Sequence, residues 1–356
     1  MLRLILVSLA LLPLGTTLAS DAPRLTHSTL PALPVPVTNN AVTSVRSADG
    51  RQYLVSFGGL GAAKSHADTH ARTFVYDGER WREDDPVPGN VGRLAGAAAT
   101  VGHQAYVFGG YSVAEDGSET STAWVHAFDP TDGRFTARAP MPVPVDDAVA
   151  VTYQDRYVYL ISGWHDLGNV NLVQRYDARD DHWLQATPLP GPAVFGHAGA
   201  IVDDTILYCD GVTVAAHQTR RRDFRASAAC YLGRIDRTDS RRIDWRPIDA
   251  HPGRPRYRMA AAGLGEHGAV LMVGGTANPY NYNGLGYDGV PASPLPGALL
   301  YDLKSGEWHA LEASVALPTM DHRGLVPWRG TWVVIGGMID PQRVTDGVTA
   351  YTFSSP

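Results

Sequence analysis

The chain has 356 residues and a net charge of −6, and 19% of its residues are charged. This length is enough to bury a large core, and an all-β fold can hold it in one domain. The acidic balance is interrupted only by the short basic run RRR at 220–222, which argues against a nucleic-acid partner.

The first twenty residues have the pattern of a secretory signal peptide. The segment MLRLILVSLALLPLGTTLAS carries Arg3, then an apolar stretch, and then the small-residue pattern Thr17-Leu18-Ala19. The apolar stretch is too short for a membrane anchor, and only weakly hydrophobic segments follow it. We therefore expect a signal peptide at residues 1–19, one domain at 20–356 with no membrane span, and a periplasmic or secreted protein.

An apolar run that ends in glycine recurs six times along the chain. The copies read YLVSFGG, AYVFGG, YLISG, ILYCDG, VLMVGG and WVVIGG, and successive copies are 48 to 64 residues apart. A run rich in small residues precedes each copy. The first five copies are followed by an aromatic or aliphatic residue with aspartate, and then by a ring residue. Because self-similarity of this kind marks repeat folds, we interpret each copy as one structural unit.

Each unit is predicted to hold four short strands. A small-residue strand leads to the apolar strand, a long loop follows, and two further strands carry the aromatic-aspartate pair and the ring residue. The tight-turn sequences VGHQ, YQDR and WRGT join the first two strands. The crowded channel of a β-propeller favours Ala and Gly in the innermost strand, and the second strand is buried on both faces. The pattern therefore predicts an all-β propeller with six blades.

The glycine pairs do not indicate a nucleotide site. A phosphate-binding turn needs a helix directly after its glycines, but YVFGG at 106–110 is followed by the polar stretch YSVAEDGSETST. The glycines are better explained as positions where the backbone turns and no Cβ fits. We accordingly predict no cofactor.

In its residues and its period, the unit resembles the Kelch repeat, and six copies cover nearly the whole chain after the signal peptide. The sixth unit stops after its third strand, whereas the N-terminal segment RLTHSTLPALP has no partner of its own. We expect this segment to supply the missing outer strand of the last blade. The ring would then be closed and an exposed sheet edge removed.

The two cysteines lie in successive apolar runs. Neighbouring antiparallel strands would bring Cys209 and Cys230 within bridging reach if the register agrees, and an oxidising compartment permits the bond. Two buried thiols are the alternative, because a free cysteine also behaves as a small hydrophobic residue.

Polar residues gather at the joints between units, which in a propeller emerge on the same face as the loops between second and third strands. This face is expected to collect the following joint residues: Asn39, Asn40, Arg93, Asp146, Asp147, His197, Arg256, Arg258, Asp321, His322 and Arg323. Such groups are costly to desolvate unless they are paired or used. They suit a polar anionic ligand or proton transfer, and an ion-paired, water-filled channel is the alternative.

The longest loop of that face, Thr276–Gly297, is rich in tyrosine and asparagine. Its rings Tyr280, Tyr282 and Tyr287, with Trp164 on an equivalent loop, are candidates for ligand binding. A sugar stacks its CH face on aromatic rings and hydrogen-bonds to amide and carboxylate groups. A loop packed on itself would use the same residues, since Asn and Gly also form turns.

The stretch HADTH places His66, Asp68 and His70 at alternate positions, which in an extended strand share one face. No fourth ligand is identifiable, so we interpret it as a polar loop and predict no metal site.

The last unit also resembles the bacterial N-acetylneuraminate mutarotase (sialic acid epimerase) family. The resemblance rests on Pro327-Trp328, Gly336-Gly337 and Val344-Thr345-Asp346. It implies an exported propeller that opens and recloses a sugar ring with an acid and a base. That family is associated with a glutamate just after the blade-four glycine, where this chain has Val212.

With that glutamate replaced, the candidate proton carriers are Asp146, Asp147 and His322, and the candidate carboxylate-binding residues include Arg93 and Arg258. The sequence thus predicts an exported Kelch propeller that binds a small carbohydrate on its loop-rich face, with mutarotase activity as the catalytic version. The alternative is a non-catalytic module that binds a protein or glycan partner.

Overall fold

Each repeat unit folds as a four-stranded antiparallel sheet, and six such sheets form the blades of a propeller. The computed structural model describes residues 23–89, 91–216, 218–219, 223–312 and 317–354, so the expected signal peptide lies outside the described residues. Within the described ranges the all-β prediction is confirmed, and the helical segments are two short 3₁₀ turns, His66–Asp68 and Gly265–His267. No helix of the described part is long and apolar enough to cross a bilayer.

The strands follow the predicted order, with the small-residue strand innermost. The chain begins with β1 (Arg24–Leu30), which belongs to the last blade. Blade 1 contains β2 (Ala41–Arg46), β3 (Gln52–Leu60), β4 (Thr69–Tyr76) and β5 (Trp81–Asp84). Blade 2 contains β6 (Ala97–Val101) and β7 (Gln104–Phe108), then the loop hairpin β8 (Tyr111–Val113) and β9 (Glu119–Ser121), then β10 (Val125–Asp129) and β11 (Arg134–Arg138).

Blades 3 and 4 also carry a small hairpin after the second strand. Blade 3 contains β12 (Val149–Tyr153), β13 (Tyr157–Ile161), the hairpin β14 (Trp164–His165) and β15 (Gly168–Asn169), β16 (Val173–Asp177) and β17 (His182–Gln185). Blade 4 contains β18 (Ala198–Val202), β19 (Thr205–Cys209), the hairpin β20 (Val212–Ala215) and β21 (Asp223–Ala226), β22 (Cys230–Ile235) and β23 (Ile243–Ile248). Blade 5 contains β24 (Ala260–Leu264), β25 (Ala269–Val273), β26 (Ala298–Asp302) and β27 (Glu307–Leu311).

The last blade joins the two ends of the described chain. It contains β28 (Val326–Trp328), β29 (Thr331–Ile335), the hairpin β30 (Met338–Ile339) and β31 (Arg343–Val344), and β32 (Val348–Ser354). β1 pairs antiparallel with β32 along its whole length, from Arg24 opposite Ser354 to Leu30 opposite Val348. The predicted closure of the ring is confirmed.

The hydrophobic core is divided among the six interfaces between neighbouring blades. The second strand of a blade, such as β25, is buried along its whole length, as its continuous apolar sequence predicts. Between blades 1 and 2, the rings of Phe57 and Phe128 meet edge-on with centroids 5.6 Å apart. A fully buried side chain of this size contributes roughly 1.5–3 kcal/mol, so packing between blades is the main source of stability.

The tryptophans of the outermost strands tie four of the blades to the joints that precede them. The indole N–H of Trp81 donates to the carbonyl oxygen of Pro31 at 2.7 Å, and that of Trp183 donates to Ala139 at 2.9 Å. Trp245 and Trp308 bond to their joints in the same way. The proline-rich joints therefore have a hydrogen-bonding anchor in four blades.

The second residue of each glycine pair lies against the backbone of the joint in its own blade. At Gly163, φ is +107° and an added Cβ would lie 2.6 Å from the carbonyl oxygen of Asp146. In the other five blades the same distance to the equivalent carbonyl is 2.6–3.0 Å. The glycines are therefore required by close backbone approach, as the sequence predicts.

The first position of the pair faces the joint of the next blade, and two blades replace its glycine by a polar residue. The Ser162 hydroxyl accepts the backbone N–H of Val194 at 3.0 Å. Asp210 accepts the backbone N–H of Arg256 at 2.7 Å and pairs with His251 at 2.7 Å. In both blades the side chain hydrogen-bonds to the neighbouring blade.

A disulfide bond joins Cys209 and Cys230 in blade 4. The two residues face each other directly across β19 and β22, and their Cα atoms are 4.2 Å apart.

Replacing Gly163 by alanine should destabilise the protein strongly, because the new Cβ meets a backbone carbonyl and the residue must keep a left-handed φ. We expect a loss of about 2–4 kcal/mol in the free energy of unfolding, measured by chemical denaturation. Gly265→Ala is the matched control, since no heavy atom lies within 4 Å of its added Cβ and its φ is not left-handed. Equal stabilities of the two variants would contradict this account of the glycine pair.

Candidate ligand-binding site

A ring of six left-handed residues surrounds the axis of the propeller, one just before each innermost strand. Their φ values lie between 51° and 72°. The six are Asn39, Ala95, Asp147, Gly196, Arg258 and Asp321. Only one is a glycine, so tertiary contacts must hold the other five in this conformation.

Backbone hydrogen bonds run around this ring from blade to blade. Ala95, Asp147, Gly196 and Arg258 each donate their N–H to the carbonyl oxygen of the preceding ring residue, at 2.7–3.1 Å. In blade 6 the donor is His322, one residue beyond the ring position, which bonds to Arg258 at 3.2 Å. The left-handed conformation thus directs the backbone N–H of one ring residue at the carbonyl oxygen of the preceding one. It also brings the polar side chains of the ring towards one another.

The side chains form a buried ion cluster at the axis. Arg258 donates to both carboxylate oxygens of Asp147, at 3.2 and 2.6 Å, and to Asp321 at 2.8 Å. Arg323 pairs with Asp147 at 2.7 Å and also donates to Asn39. Thr38 donates its hydroxyl to Asp321 at 2.6 Å. We call Asp147, Arg258, Asp321 and Arg323 the axial cluster.

The charges of the axial cluster balance, which is what permits their burial. Burial alone would raise the pKa of Asp147, but Arg258 and Arg323 outweigh it and hold that pKa below its usual value. The guanidinium carbon of Arg258 also lies 4.7 Å from the ring centroid of Tyr257 and 5.1 Å from that of Tyr280. The cluster is therefore neutral and fixed in position.

A cavity of about 560 Å³ opens on the loop face beside this cluster. Its lining includes Asp147 and Arg258 together with residues from the loops of blades 2, 3, 4 and 5. Among the described residues, six rings line it: Tyr111, Trp164, Phe195, Phe224, Tyr282 and Tyr287. The volume lies in the range of small-molecule sites.

Four of these rings form a continuous aromatic wall across blades 3, 4 and 5. Phe224 and Tyr287 stack with centroids 3.9 Å apart, and Trp164 lies 5.4 Å from Phe195 and 6.0 Å from Phe224. A buried cluster that includes Tyr257, Tyr280, Met320 and Met338 supports the wall from behind. The wall thus places four packed aromatic rings along one side of the cavity.

Carboxyl groups lie among the other residues of the lining. Asp146 is buried and receives a hydrogen bond from the Ser121 hydroxyl at 2.7 Å. The Ser121 N–H in turn donates to Asp166 at 2.9 Å, which ties the blade-2 hairpin to the blade-3 loop. Glu119 lies on the same hairpin, two residues before Ser121. Burial, and then the charge of Asp147, raises the pKa of Asp146 well above its usual value.

On the other side of the axial cluster lies the central channel, a space of about 340 Å³ between the innermost strands. Asp147 borders both the channel and the cavity, whereas Arg323, His197 and His322 line only the channel. Burial lowers the pKa of each of these two histidines to about 4. The His322 ring is held by Thr319 at 2.8 Å.

The structure brings together six of the eleven predicted catalytic and binding residues. The cavity is lined by Asp146, Asp147, Arg258, Trp164, Tyr282 and Tyr287. His197, His322 and Arg323 lie on the channel side, and Tyr280 lies behind Arg258. Arg93 lies in the joint between blades 1 and 2, where it donates to Pro88 at 3.1 Å and its guanidinium lies 5.4 Å from the ring of Trp124.

The HADTH stretch does not form the extended arrangement on which metal ligation would depend. His66 and Asp68 lie in a 3₁₀ turn, and the Asp68 carboxylate accepts the backbone N–H of Ala63 at 2.7 Å. His70 is the second residue of β4. The carboxylate thus closes a polar loop.

Four residues at the cavity belong to no motif of the sequence: Glu119, Ser121, Phe195 and Phe224. Glu119 and Ser121 are two residues apart on β9, so they share one face of the hairpin. Phe195 immediately precedes the left-handed Gly196, and Phe224 lies on β21. Their place in the repeat unit could have indicated them, because each comes from a joint or from the loop that follows the glycine-ended strand.

Comparison with known proteins agrees with this architecture. A protein-family model, the Kelch motif, matches residues 92–142, which contain blade 2. The chain carries a Kelch motif. Among solved structures, that of YjhT superposes with a TM-score of 0.71 at 16% identity, covering 92% of this chain and 100% of that chain. This likeness shows a shared fold.

Curated relatives match parts of the chain. Kelch domain-containing protein 3 from Bos taurus is 28% identical over 206 residues, which are 53% of this chain and 50% of that protein. Beta-scruin from Limulus polyphemus is 29% identical over 170 residues, 46% of this chain and 18% of that protein. The chain thus spans about half the length of the first of these relatives, and less of the second. A Kelch propeller supports a role as a protein or ligand interaction module.

Removing the guanidinium of Arg258 should destabilise the fold, because the carboxylates of Asp147 and Asp321 would stay buried after losing an ion-pair partner. We expect Arg258→Met to lower the free energy of unfolding by about 3–5 kcal/mol. The control is Arg72→Met, which breaks the more exposed pair with Glu83 and should cost about 1 kcal/mol or less. Equal losses in the two variants, measured by denaturant titration, would contradict a structural role for the cluster.

The channel histidines should make the fold sensitive to acid. Because the pKa values of His197 and His322 are lower in the folded state, the unfolded chain binds more protons, and stability falls as the pH drops from about 6.5 to about 4. Asp146, with its raised pKa, acts in the opposite sense.

We therefore expect the double variant His197→Gln/His322→Gln to show a flatter decline in unfolding free energy than the wild type over that pH range. The exposed His103→Gln variant should keep the wild-type slope. Parallel curves for the double variant and the wild type would show that these histidines do not cause the acid sensitivity.

Proposed function

We propose that this propeller binds a small carbohydrate in the loop-face cavity. The observation that carries the proposal is the aromatic wall of Trp164, Phe195, Phe224 and Tyr287 in a cavity that also presents carboxyl groups and an amide. Sugar rings stack their CH faces on such walls, and their hydroxyls need donors and acceptors at the side. The axial cluster closes the floor beneath the ligand.

The polar groups of the cavity suit sugar hydroxyls in both senses. A protonated Asp146 can donate a hydrogen bond as well as accept one, because its raised pKa favours the neutral carboxyl. Glu119 and Asn281 add an acceptor and an amide to the lining. A site with both kinds of group can orient a polyol.

The resemblance to the mutarotase family supplies a catalytic version of the same proposal. Asp146 would give its proton to the ring oxygen while a carboxylate of the cavity takes the proton of the anomeric hydroxyl. The bond between the anomeric carbon and the ring oxygen then breaks, and closure on the other face gives the second anomer. Residue 212 takes no part, because Val212 is fully buried and bridges Phe195 through its backbone.

A location outside the cytoplasm belongs to the proposal. The signal-peptide pattern at residues 1–19 supports it, and so does the Cys209–Cys230 disulfide, because such bonds persist in oxidising compartments.

A protein or glycan interaction module is the second candidate. Leu167, on the loop of blade 3 at the cavity, is 75% exposed, and Val290 on the long loop of blade 5 is 56% exposed. Both side chains belong to loops of this face and are accessible to a protein partner.

Saturation-transfer NMR with a panel of monosaccharides that includes N-acetylneuraminate tests the carbohydrate proposal. We expect transfer to at least one sugar, and Trp164→Ala should weaken its binding about tenfold, since stacking area is lost. Trp124→Ala is the control, because Trp124 packs against Arg93 away from the cavity. Acceleration of anomer exchange, followed by proton NMR, would indicate the catalytic version.

No transfer to any sugar of the panel, together with retention of a defined protein partner, would favour the interaction module. Equal weakening by the two tryptophan variants would remove the cavity as the site.

A further inference from the structure

We infer that the joint between blades 1 and 2 binds an organic carboxylate carried on an apolar group, with Arg93 as the cation that receives it. This place lies outside the lining of the loop-face cavity, and the inference does not depend on the carbohydrate proposal. It comes from the surroundings of the Arg93 guanidinium.

Arg93 is a buried cation without a counter-charge. It is 3% exposed, the same as Arg258. Arg258 pairs with Asp147 and Asp321. Among the residues that the structure describes, no carboxylate pairs with Arg93, and burial alone lowers its pKa to about 10. A charge in the interior is costly unless something pairs with it, so we expect Arg93 to have a partner in the functioning protein.

One nitrogen of the guanidinium lacks an acceptor. Nη2 of Arg93 donates to the carbonyl oxygen of Pro88 at 3.1 Å, whereas Nη1 is buried and has no hydrogen-bond partner in the described part of the chain. Nδ1 of His126, on β10 of blade 2, is also buried without a partner in that part. Burial and the charge of Arg93 lower the pKa of His126 to about 4. A carboxylate supplies the acceptor oxygens and the negative charge that this place lacks.

The cover over Arg93 is apolar and partly exposed. The Trp124 ring, 43% exposed, has its centroid 5.4 Å from the guanidinium carbon. It packs on the turn at Gly89, where an added Cβ would collide with the ring. Val91, between this turn and Arg93 in the chain, is 46% exposed. A ligand that moves the Trp124 ring aside reaches the guanidinium, and the ring and Val91 offer an apolar surface to the group that carries the carboxylate.

Isothermal titration of the purified protein with N-acetylphenylalanine and with its uncharged amide tests this inference. The acid should bind at least about tenfold more tightly than the amide, because only the acid brings a negative charge to Arg93. Equal affinity of the acid and the amide, or absence of binding by both, would overturn the inference.

NMR spectra locate the bound acid. The indole N–H signal of Trp124, assigned with the Trp124→Phe variant, should shift when the acid is added. The signal of Trp164 should stay in place, because Trp164 lines the separate cavity. A shift of Trp164 without a shift of Trp124 would place the carboxylate in the cavity, and the inference would fail.

A charge-matched pair of variants assigns the preference to Arg93. Arg93→Met should lower the affinity for the acid at least about tenfold and leave the affinity for the amide unchanged. Arg134→Met removes the same charge from an exposed position on β11 of the same blade and should change neither affinity. An equal loss in both variants would attribute the effect to the overall charge of the protein and overturn the inference.

Removing an unpaired buried charge should not harm the fold. Arg93→Met should therefore unfold at no lower denaturant concentration than the wild type, whereas Arg258→Met breaks ion pairs. Arg93→Lys keeps the charge but not the planar fork, and it should keep a weaker preference for the acid over the amide. A folded Arg93→Lys variant that binds both probes equally would overturn the inference, even if Arg93→Met does not fold.

Further probes distinguish the sources of the carboxylate. Tighter binding of an N-acetylated tripeptide acid that ends in phenylalanine than of N-acetylphenylalanine would support a chain terminus as the source. Equal or weaker binding of the tripeptide would support a small free carboxylate. Inorganic phosphate should bind more weakly than N-acetylphenylalanine, because one cation does not balance two charges. Tighter binding of phosphate would overturn the assignment to a carboxylate.

Discussion

The hydrogen bonds between successive left-handed residues around the axis are the constraint on which the rest of the structure depends. A propeller holds its blades mainly through apolar packing, which fixes distance but is not directional. The bonds from Ala95 to Asn39, Asp147 to Ala95, Gly196 to Asp147 and Arg258 to Gly196 add direction at the innermost radius. They join the first five blades in succession, beside the side chains that meet at the axis.

The ring also explains why charged residues are tolerated at the centre of an apolar fold. Three members of the axial cluster occupy ring positions, namely Asp147, Arg258 and Asp321. Their backbone conformation is therefore that of the ring, independent of the ion pairs their side chains make. Two arginines and two aspartates then neutralise one another with short hydrogen bonds, which is the condition under which buried ion pairs are stable. The cavity beside the cluster gains a rigid, uncharged floor, and its selectivity depends on the loops around it.

The architecture was predictable because it is repeated. Six apolar strands that end in glycine recur with outer-strand ring residues and proline-rich joints, and each recurrence indicates the same local geometry. The ring closure follows from a missing strand at one end and a surplus strand at the other. The axial ring was not predictable, because its six positions hold Asn, Ala, Asp, Gly, Arg and Asp, and neighbouring blades determine their conformation. The sequence also does not indicate how far a joint residue lies from the axis. Arg93 and Arg258 occupy similar places in the repeat, yet Arg93 packs on Trp124 and Arg258 lies beside the cavity.

The closure of the ring by β1 and β32 has a consequence for how the chain folds. Leu30 and Val348 are paired across roughly 320 residues of intervening sequence. Bringing such distant segments together costs about 5 kcal/mol of chain entropy, and nothing offsets this cost until the strands between them are in place. The last blade therefore forms late, and until then β32 and the flank of the first blade present unpaired surface to the solvent. The pairing of β1 with β32 is therefore the step that converts an open row of blades into a closed ring.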